Sequence, residues 1–332
     1  MILDHQLPII FAGLMAFSVL VYAILDGYDL GVGLLLPMDN QQQRDKMIAS
    51  IGPFWDANET WLVLAVGLML VAFPSAHSII LKALYLPTAI LLIGLIIRGV
   101  SFDFRAKVIA HKKDRWDKLF ILGSFIAAAA QGYMLGMFVM GFEISLESVA
   151  FSLLSAAGVA MAYALIGACW LIMKTEGELQ IRSVKWAKNA GKVCLIGILA
   201  VCIINPLINS FVFERWTQPP LAYLIALVPI LCFAFFVIGY FTLQKLPLKD
   251  DAGCWLPFVL CTAIFTFSFL GLAFSFYPFV VPGELNIWQA ASAPESLRVI
   301  LYGALIVIPC IFAYTLFSYR VFWGKVRDLK YH

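Results

Sequence analysis

Histidine is almost missing from this sequence: of 332 residues, only His5, His77, His111 and His332 carry an imidazole. Three of these fall in the termini or in a basic connection, and His77 stands in a short turn between two apolar runs. Haem and copper centres in membranes usually take imidazole ligands from span interiors, and no such pair is on offer here. Cysteine adds little. Cys169, Cys194, Cys202, Cys232, Cys254, Cys261 and Cys310 are scattered, with no CxxC and no haem-attachment signature. In apolar surroundings a thiol packs as a small hydrophobe. A GxxxxGK[ST] phosphate loop is absent as well. Charge is the largest deficit: Asp, Glu, Lys and Arg make up 13% of the chain, against about 25% in soluble domains. A formal net charge of +3 leaves no footprint for nucleic acid, and this composition excludes disorder.

What is present is apolar: 62% of residues, with a mean hydropathy of +0.92. A globule in water cannot hide that much, and barrel strands alternate and would not raise hydropathy so far. The sequence therefore predicts an all-α integral membrane protein. A helix needs about 20 mostly apolar residues to cross a bilayer. Nine runs qualify, near 8–36, 60–80, 83–104, 117–141, 149–173, 190–213, 219–243, 255–277 and 297–323. Asp4 and His5 precede the first, with no basic leader or A-x-A site, so it reads as a retained span. No Gly-, Ser- or Pro-rich linker interrupts the chain and no internal repeat is visible, which predicts one transmembrane domain over 1–332.

The basic residues test the count. Nineteen of the 23 lysines and arginines fall in the loops after spans one, three, five and seven and in the tail. Only Lys82, Arg215 and Arg298 fall on the other side, and Arg98 lies within span three. Nine spans with a periplasmic N-terminus and a cytoplasmic C-terminus follow from the positive-inside rule.

A charged side chain inside a span costs at least about 2.5 kcal/mol on insertion scales and is read as functional first. Span one ends in Asp26-Gly-Tyr-Asp-Leu-Gly-Val-Gly33, span two opens with Pro53-Phe-Trp-Asp-Ala-Asn-Glu-Thr-Trp61, and span three closes with Arg98-Gly-Val-Ser-Phe-Asp-Phe-Arg105. Asp26 and Asp29 are three apart and share a face, as do Asp56 and Glu59. Arg98 is expected to neutralise one of the carboxylates. Trp55 and Trp61 suit a subunit contact. Asp26, Asp29, Asp56, Glu59 and Asp103 form a candidate proton path on the cytoplasmic side, since Asp and Glu chains are the usual material of proton relays. The competing reading is a polar packing cluster at the headgroup boundary. Gln131, alone in mid-span, suggests a hydrogen bond between helices, and Asn205 and Asn209 read as capping or packing groups. The apolar connection 277–283 is expected to hug the membrane surface or cover a partner.

The three runs quoted resemble subunit II of the cytochrome bd quinol oxidases, the second being closest to the cyanide-insensitive branch. The resemblance continues through Gly177-Glu178-Leu179, Pro278–Pro282 and Trp288, and so covers nearly the whole chain. It implies two four-helix bundles plus one peripheral helix, in a multi-pass subunit of the bacterial inner membrane without a catalytic centre or metal of its own. Two b-type haems and one d-type haem are then expected on subunit I. The other implied partners are a small single-span subunit, membrane lipid, and quinol and O2 at the complex; some relatives hold a structural quinone in subunit II. By resemblance, Trp55, Asp56 and Asp103 match positions of the subunit contact and of a proton path. Asp26, Asp29 and Arg98 match family positions, and Glu59 falls where some members carry another polar residue. The expected route takes cytoplasmic protons through Asp103 and Asp56, then Glu59, with Arg98 holding the carboxylates. Two other readings remain: an ion-coupled secondary transporter, for which no inverted repeat is seen, and a purely structural partner subunit.

Overall fold

The computed structural model describes residues 2–109, 112–219 and 221–326. His111, His332 and the tail residues Arg327 and Lys330 lie outside them. Among the described residues, nine helices are long and apolar enough to cross a membrane. They are α1 (Ile2–Leu34), α3 (Trp55–Ala72), α4 (Pro74–Lys107), α5 (Lys113–Val139), α6 (Leu146–Lys174), α7 (Glu178–Ile208), α9 (Leu221–Lys245), α10 (Leu256–Phe276) and α12 (Pro294–Val321). Three shorter helices join them: α2 (Gln41–Ile51), α8 (Ser210–Thr217) and α11 (Ile287–Ala290).

Several ends differ from the apolar runs, for reasons hydropathy does not register. Pro74 takes the first helical position of α4, where its missing N–H costs nothing, so α3 stops at Ala72 and residues 74–82 belong to the third span. Pro87 then cannot donate back into the preceding turn, and Leu84 leaves helical geometry at φ −110°. The run read as 190–213 is broken at Asn209, whose side chain caps α8 by accepting from Val212 N. Asn205 is buried.

α1 is the hub, packed against α3, α5 and α6, with lighter contacts to α10 and α12. α4 packs on α5, α5 on α6, α6 on α7 and α10, and α9 on α10. The α1–α6 crossing is made by two glycines: a Cβ on Gly31 would lie 1.8 Å from the Tyr163 carbonyl oxygen, and one on Gly167 would lie 2.5 Å from Gly31 C. Small residues at such crossings let backbones touch where lipid offers no hydrophobic drive for association.

At one end of the bundle, strands β1 (Phe279–Val281) and β2 (Leu285–Asn286) form an antiparallel hairpin that leads into α11. Val281 is fully buried and packs with Leu7, Phe11, Ala72 and Phe73, while Trp288 Nε1 donates to the His5 carbonyl at 3.1 Å. The apolar connection thus covers this chain's own helix ends. Its residues are apolar because a lid over helix termini must itself be packed. At the other end, the segment after α12 returns to the end of α6. Lys174 Nζ donates to the carbonyls of Phe322 (2.7 Å) and Gly324 (3.1 Å), and Val326 N donates to Lys174 O (2.8 Å). Lys325 Nζ pairs with Asp251 Oδ2 at 3.1 Å. Burial works to raise the Asp251 carboxyl, but hydrogen bonds from Gln180 and Lys325 prevail and hold it below the usual carboxylate range.

Candidate functional site

Three helices bring their polar residues to one point. α1 carries Asp26 and Asp29, both buried, α3 brings Asn58 and Glu59, and α4 brings Arg98. The Arg98 guanidinium forks. Its Nη1 lies 2.7 Å from Asp26 Oδ1, and its Nη2 donates to Glu59 Oε1 at 2.9 Å. Arginine suits this task because its planar fork addresses two acceptors at once. The approach depends on α5, where a Cβ on Gly123 would fall 2.7 Å from Arg98 N. Trp55 flanks the cation, with its ring centroid 5.9 Å from Arg98 Cζ, and leans on Phe102 at 4.9 Å.

Asp29 has a different partner. Asn58 Nδ2 donates to Asp29 Oδ2 at 2.8 Å and reaches the Tyr28 hydroxyl at 2.9 Å. That hydroxyl lies 2.6 Å from the Tyr319 hydroxyl of α12. Tyr28 stacks on Trp170 with centroids 4.2 Å apart, so the inner side of the cluster is sealed by aromatic rings. Glu59 is the opening: its side chain keeps 29% of its surface exposed, whereas those of Asp26 and Arg98 keep 0% and 1%. Three carboxyl groups thus face one guanidinium, and only one of the three reaches solvent.

The two remaining carboxylates of the expected path stand apart. Asp56 and Asp103 are exposed, and neither makes an ion pair or hydrogen bond among the described residues. Asp103 lies five residues beyond Arg98, roughly 140° around the helix, so the inward turn of Arg98 carries Asp103 outward. Arg98 therefore attends Asp26 and Glu59, not Asp56 or Asp103. Trp61 also departs from expectation: it is fully buried, edge-on to Phe17 at 5.8 Å. A ring enclosed by its own chain has no surface for a subunit contact, and of the two tryptophans only half-buried Trp55 retains one.

Sequence reasoning missed a second charged network at the same end of the bundle. Asp117 of α5 is fully buried between two arginines: Arg44 Nε of α2 at 2.7 Å from Oδ2, and Arg105 of α4, whose Nε donates to Oδ1. Arg105 also pairs with Asp45 at 2.8 Å, and Arg44 pairs with Asp114 and donates to the Met38 carbonyl at 2.9 Å. These arginines sit among other loop cations, so they read as topology signals; Asp117, an acid amid bases, was the available clue. Replacing Asp117 with alanine should destabilise the subunit by about 3–5 kcal/mol, because two arginines then stay buried without their shared partner. Thermal inactivation of the purified complex measures this, and an unchanged midpoint would count against the pairing.

A profile described as cytochrome bd terminal oxidase subunit II matches residues 7–322. The chain belongs to the cytochrome bd oxidase subunit II family. Among similar proteins are the cytochrome bd-I ubiquinol oxidase subunit 2 of Escherichia coli K12, 27% identical over 92% of this chain and 91% of that one, and the cytochrome bd ubiquinol oxidase subunit 2 of Bacillus subtilis 168, 29% identical over 92% of each. The solved bd oxidase structure from Geobacillus thermodenitrificans superposes with a TM-score of 0.74 at 18% identity, covering 93% of this chain and 97% of that chain, which shows the fold. Membership makes this chain a multi-pass inner-membrane subunit of a bacterial bd oxidase, an oxidoreductase complex with a partner subunit I and with haem. Among the described residues, His5 lies tilted against Trp288 with ring centroids 5.3 Å apart, His77 stands in the first turn of α4, and no group of three His, Cys, Asp or Glu side chains is placed to hold a metal ion.

Proposed function

We propose that this chain is the haem-free subunit II of a terminal oxidase that oxidises quinol and reduces O2 to water. In this reading it supports assembly of subunit I, which carries two b-type haems and one d-type haem, and it supplies cytoplasmic protons. The relatives' names support a quinol as electron donor, and the 19 basic residues assigned to one side support a cytoplasmic C-terminus. A small single-span subunit and a structural quinone belong to the same proposal. The observation that carries the proton role is the fork of Arg98 between a sealed carboxyl, Asp26, and a half-open one, Glu59. Exposed Asp56 and Asp103 collect protons, Glu59 takes them one helical turn above Asp56, and the Asp26–Arg98 pair receives or repels the charge behind it. Asp29, held by Asn58, ends the inner side of the path. Trp55 joins this rim to the partner subunit.

Asp56→Asn and Asp103→Asn each test the route. Oxygen consumption by the whole complex should fall by about tenfold or more while haem content stays normal. Normal turnover with normal proton uptake in both variants would sink the relay. Loss of assembled haem would assign both residues to packing.

A further inference from the structure

A mid-membrane side-chain chain on α6, α5 and α1 approaches the Arg98 cluster from behind. The Tyr163 hydroxyl of α6 donates to Gln131 Oε1 of α5 at 2.6 Å, and Gln131 Nε2 donates to the Tyr22 hydroxyl oxygen of α1 at 2.9 Å. Tyr22 has accepted a hydrogen bond and still holds its own proton. It is nearly sealed from solvent, so that proton needs an acceptor within the protein. Asp26 lies four residues further along α1, one turn on and on the same helix face as Tyr22. Asp26 Oδ2 is itself a buried acceptor with no donor directed at it. A spare donor and an orphan acceptor, side by side in a dry place, complement each other. Gly27 makes the room: a Cβ there would lie 2.7 Å from the Tyr163 ring.

We infer that Tyr22, Gln131 and Tyr163 are positioning residues that hold the Asp26 carboxyl against Arg98. The polarity of the chain is fixed, because an amide offers N–H only as donor and C=O only as acceptor. The two hydrogen bonds run Tyr163 to Gln131 to Tyr22, and the proton that Tyr22 keeps is the one assigned to Asp26, so the chain orients a group without conducting protons. The other groups facing Asp26 are Arg98 from α4, Glu59 from α3, Asp29 from α1 and the Tyr163 phenol from α6. α5 contributes only the uncharged Gln131. With Asp26 anchored on two sides, Glu59 is the arm of the fork that can let go of Arg98 and exchange with solvent. This rests on the proton route proposed above, and it deepens that reading by naming what keeps the inner arm still.

The test uses the intact complex and infrared difference spectra, with the Asp26 carboxyl bands assigned by their loss in Asp26→Asn. Tyr22→Phe keeps the ring and removes the donor. Its Asp26 bands should shift, its oxygen consumption should fall about three- to tenfold with a larger solvent isotope effect, and its haem content should be normal. Gln131→Leu should shift the same bands, and the Tyr22→Phe, Gln131→Leu double variant should be no worse than Tyr22→Phe alone, since Gln131 acts through Tyr22. Unshifted Asp26 bands in Tyr22→Phe, or additive losses in the double variant, overturn the inference. If Tyr22→Phe does not assemble, Tyr163→Phe at the far end serves, with a smaller shift expected and no shift overturning the idea. The bands report on Asp26 whether or not protons pass Asp56 and Asp103, so failure of the relay and failure of the chain give different results.

Discussion

Replacing Arg98 with leucine should cost the subunit about 3–5 kcal/mol, the usual penalty for removing one member of a buried ion network. Asp26 and Glu59 would lose the fork that serves both, and Asp29 would gain two uncompensated acidic neighbours in a water-poor interior. The complex should lose haem on purification and inactivate at lower temperature. Arg98→Lys should recover only part of this, because a single ammonium lacks the planar geometry for two acceptors. The informative variant combines Arg98→Leu with Asp26→Asn and Glu59→Gln. Neutralising the whole network is often close to neutral for stability, so this triple variant should assemble well and yet turn over slowly. If it assembles no better than Arg98→Leu alone, the destabilisation does not come from stranded charge.

Gly31→Ala should be nearly as damaging although it adds a single methyl group. Ordinary core overpacking costs about 1–3 kcal/mol because side chains shift aside. Here the added carbon would sit 1.8 Å from a backbone carbonyl of α6, and a helix backbone cannot rotate out of the way. α1 and α6 would have to separate, which pulls Asp26 away from α4 and opens the Tyr28–Trp170 stack. Gly67→Ala on α3 is the control, since nothing lies within 4 Å of its added carbon, and it should change the inactivation midpoint by under about 0.5 kcal/mol equivalent. Equal behaviour of the two variants would show that the α1–α6 crossing is not tight.

Much of this was legible from the residues. Hydropathy and the distribution of Lys and Arg lead to nine spans, and the motifs around Asp26, Trp55 and Arg98 lead to the family. The sequence also predicts that Arg98 serves a carboxylate. What it could not say is which one. Spacing tells which residues share a helical face, as Asp26 and Asp29 do, but not which face turns inward; that is set by neighbours tens or hundreds of residues away. Asp103 and Asp56 share with Arg98 only the cytoplasmic end of their spans, which sequence can show, while Tyr22 and Tyr163 look like any aromatic residue of an apolar helix. Arg44 and Arg105 were hidden by their company, since a buried arginine and a loop arginine look alike until Asp117 is placed between them. Helix ends failed where proline and asparagine, not hydropathy, set the boundary, as at Pro74 and Asn209.

The pairing of Asp26 with Arg98 also bears on the order in which the chain is made. Arg98 emerges 72 residues after Asp26, a delay of about 4–14 s at ordinary rates of synthesis. During that interval α1 must reach the bilayer with two acids and no counter-charge, at about 2.5–3.5 kcal/mol for an aspartate at a span centre. Their location near the end of α1 lets the newborn helix ride shallow, with both carboxylates among the lipid headgroups. The counter-charge for the first span is therefore carried by the third, and the two must both be in the bilayer before the pair can form.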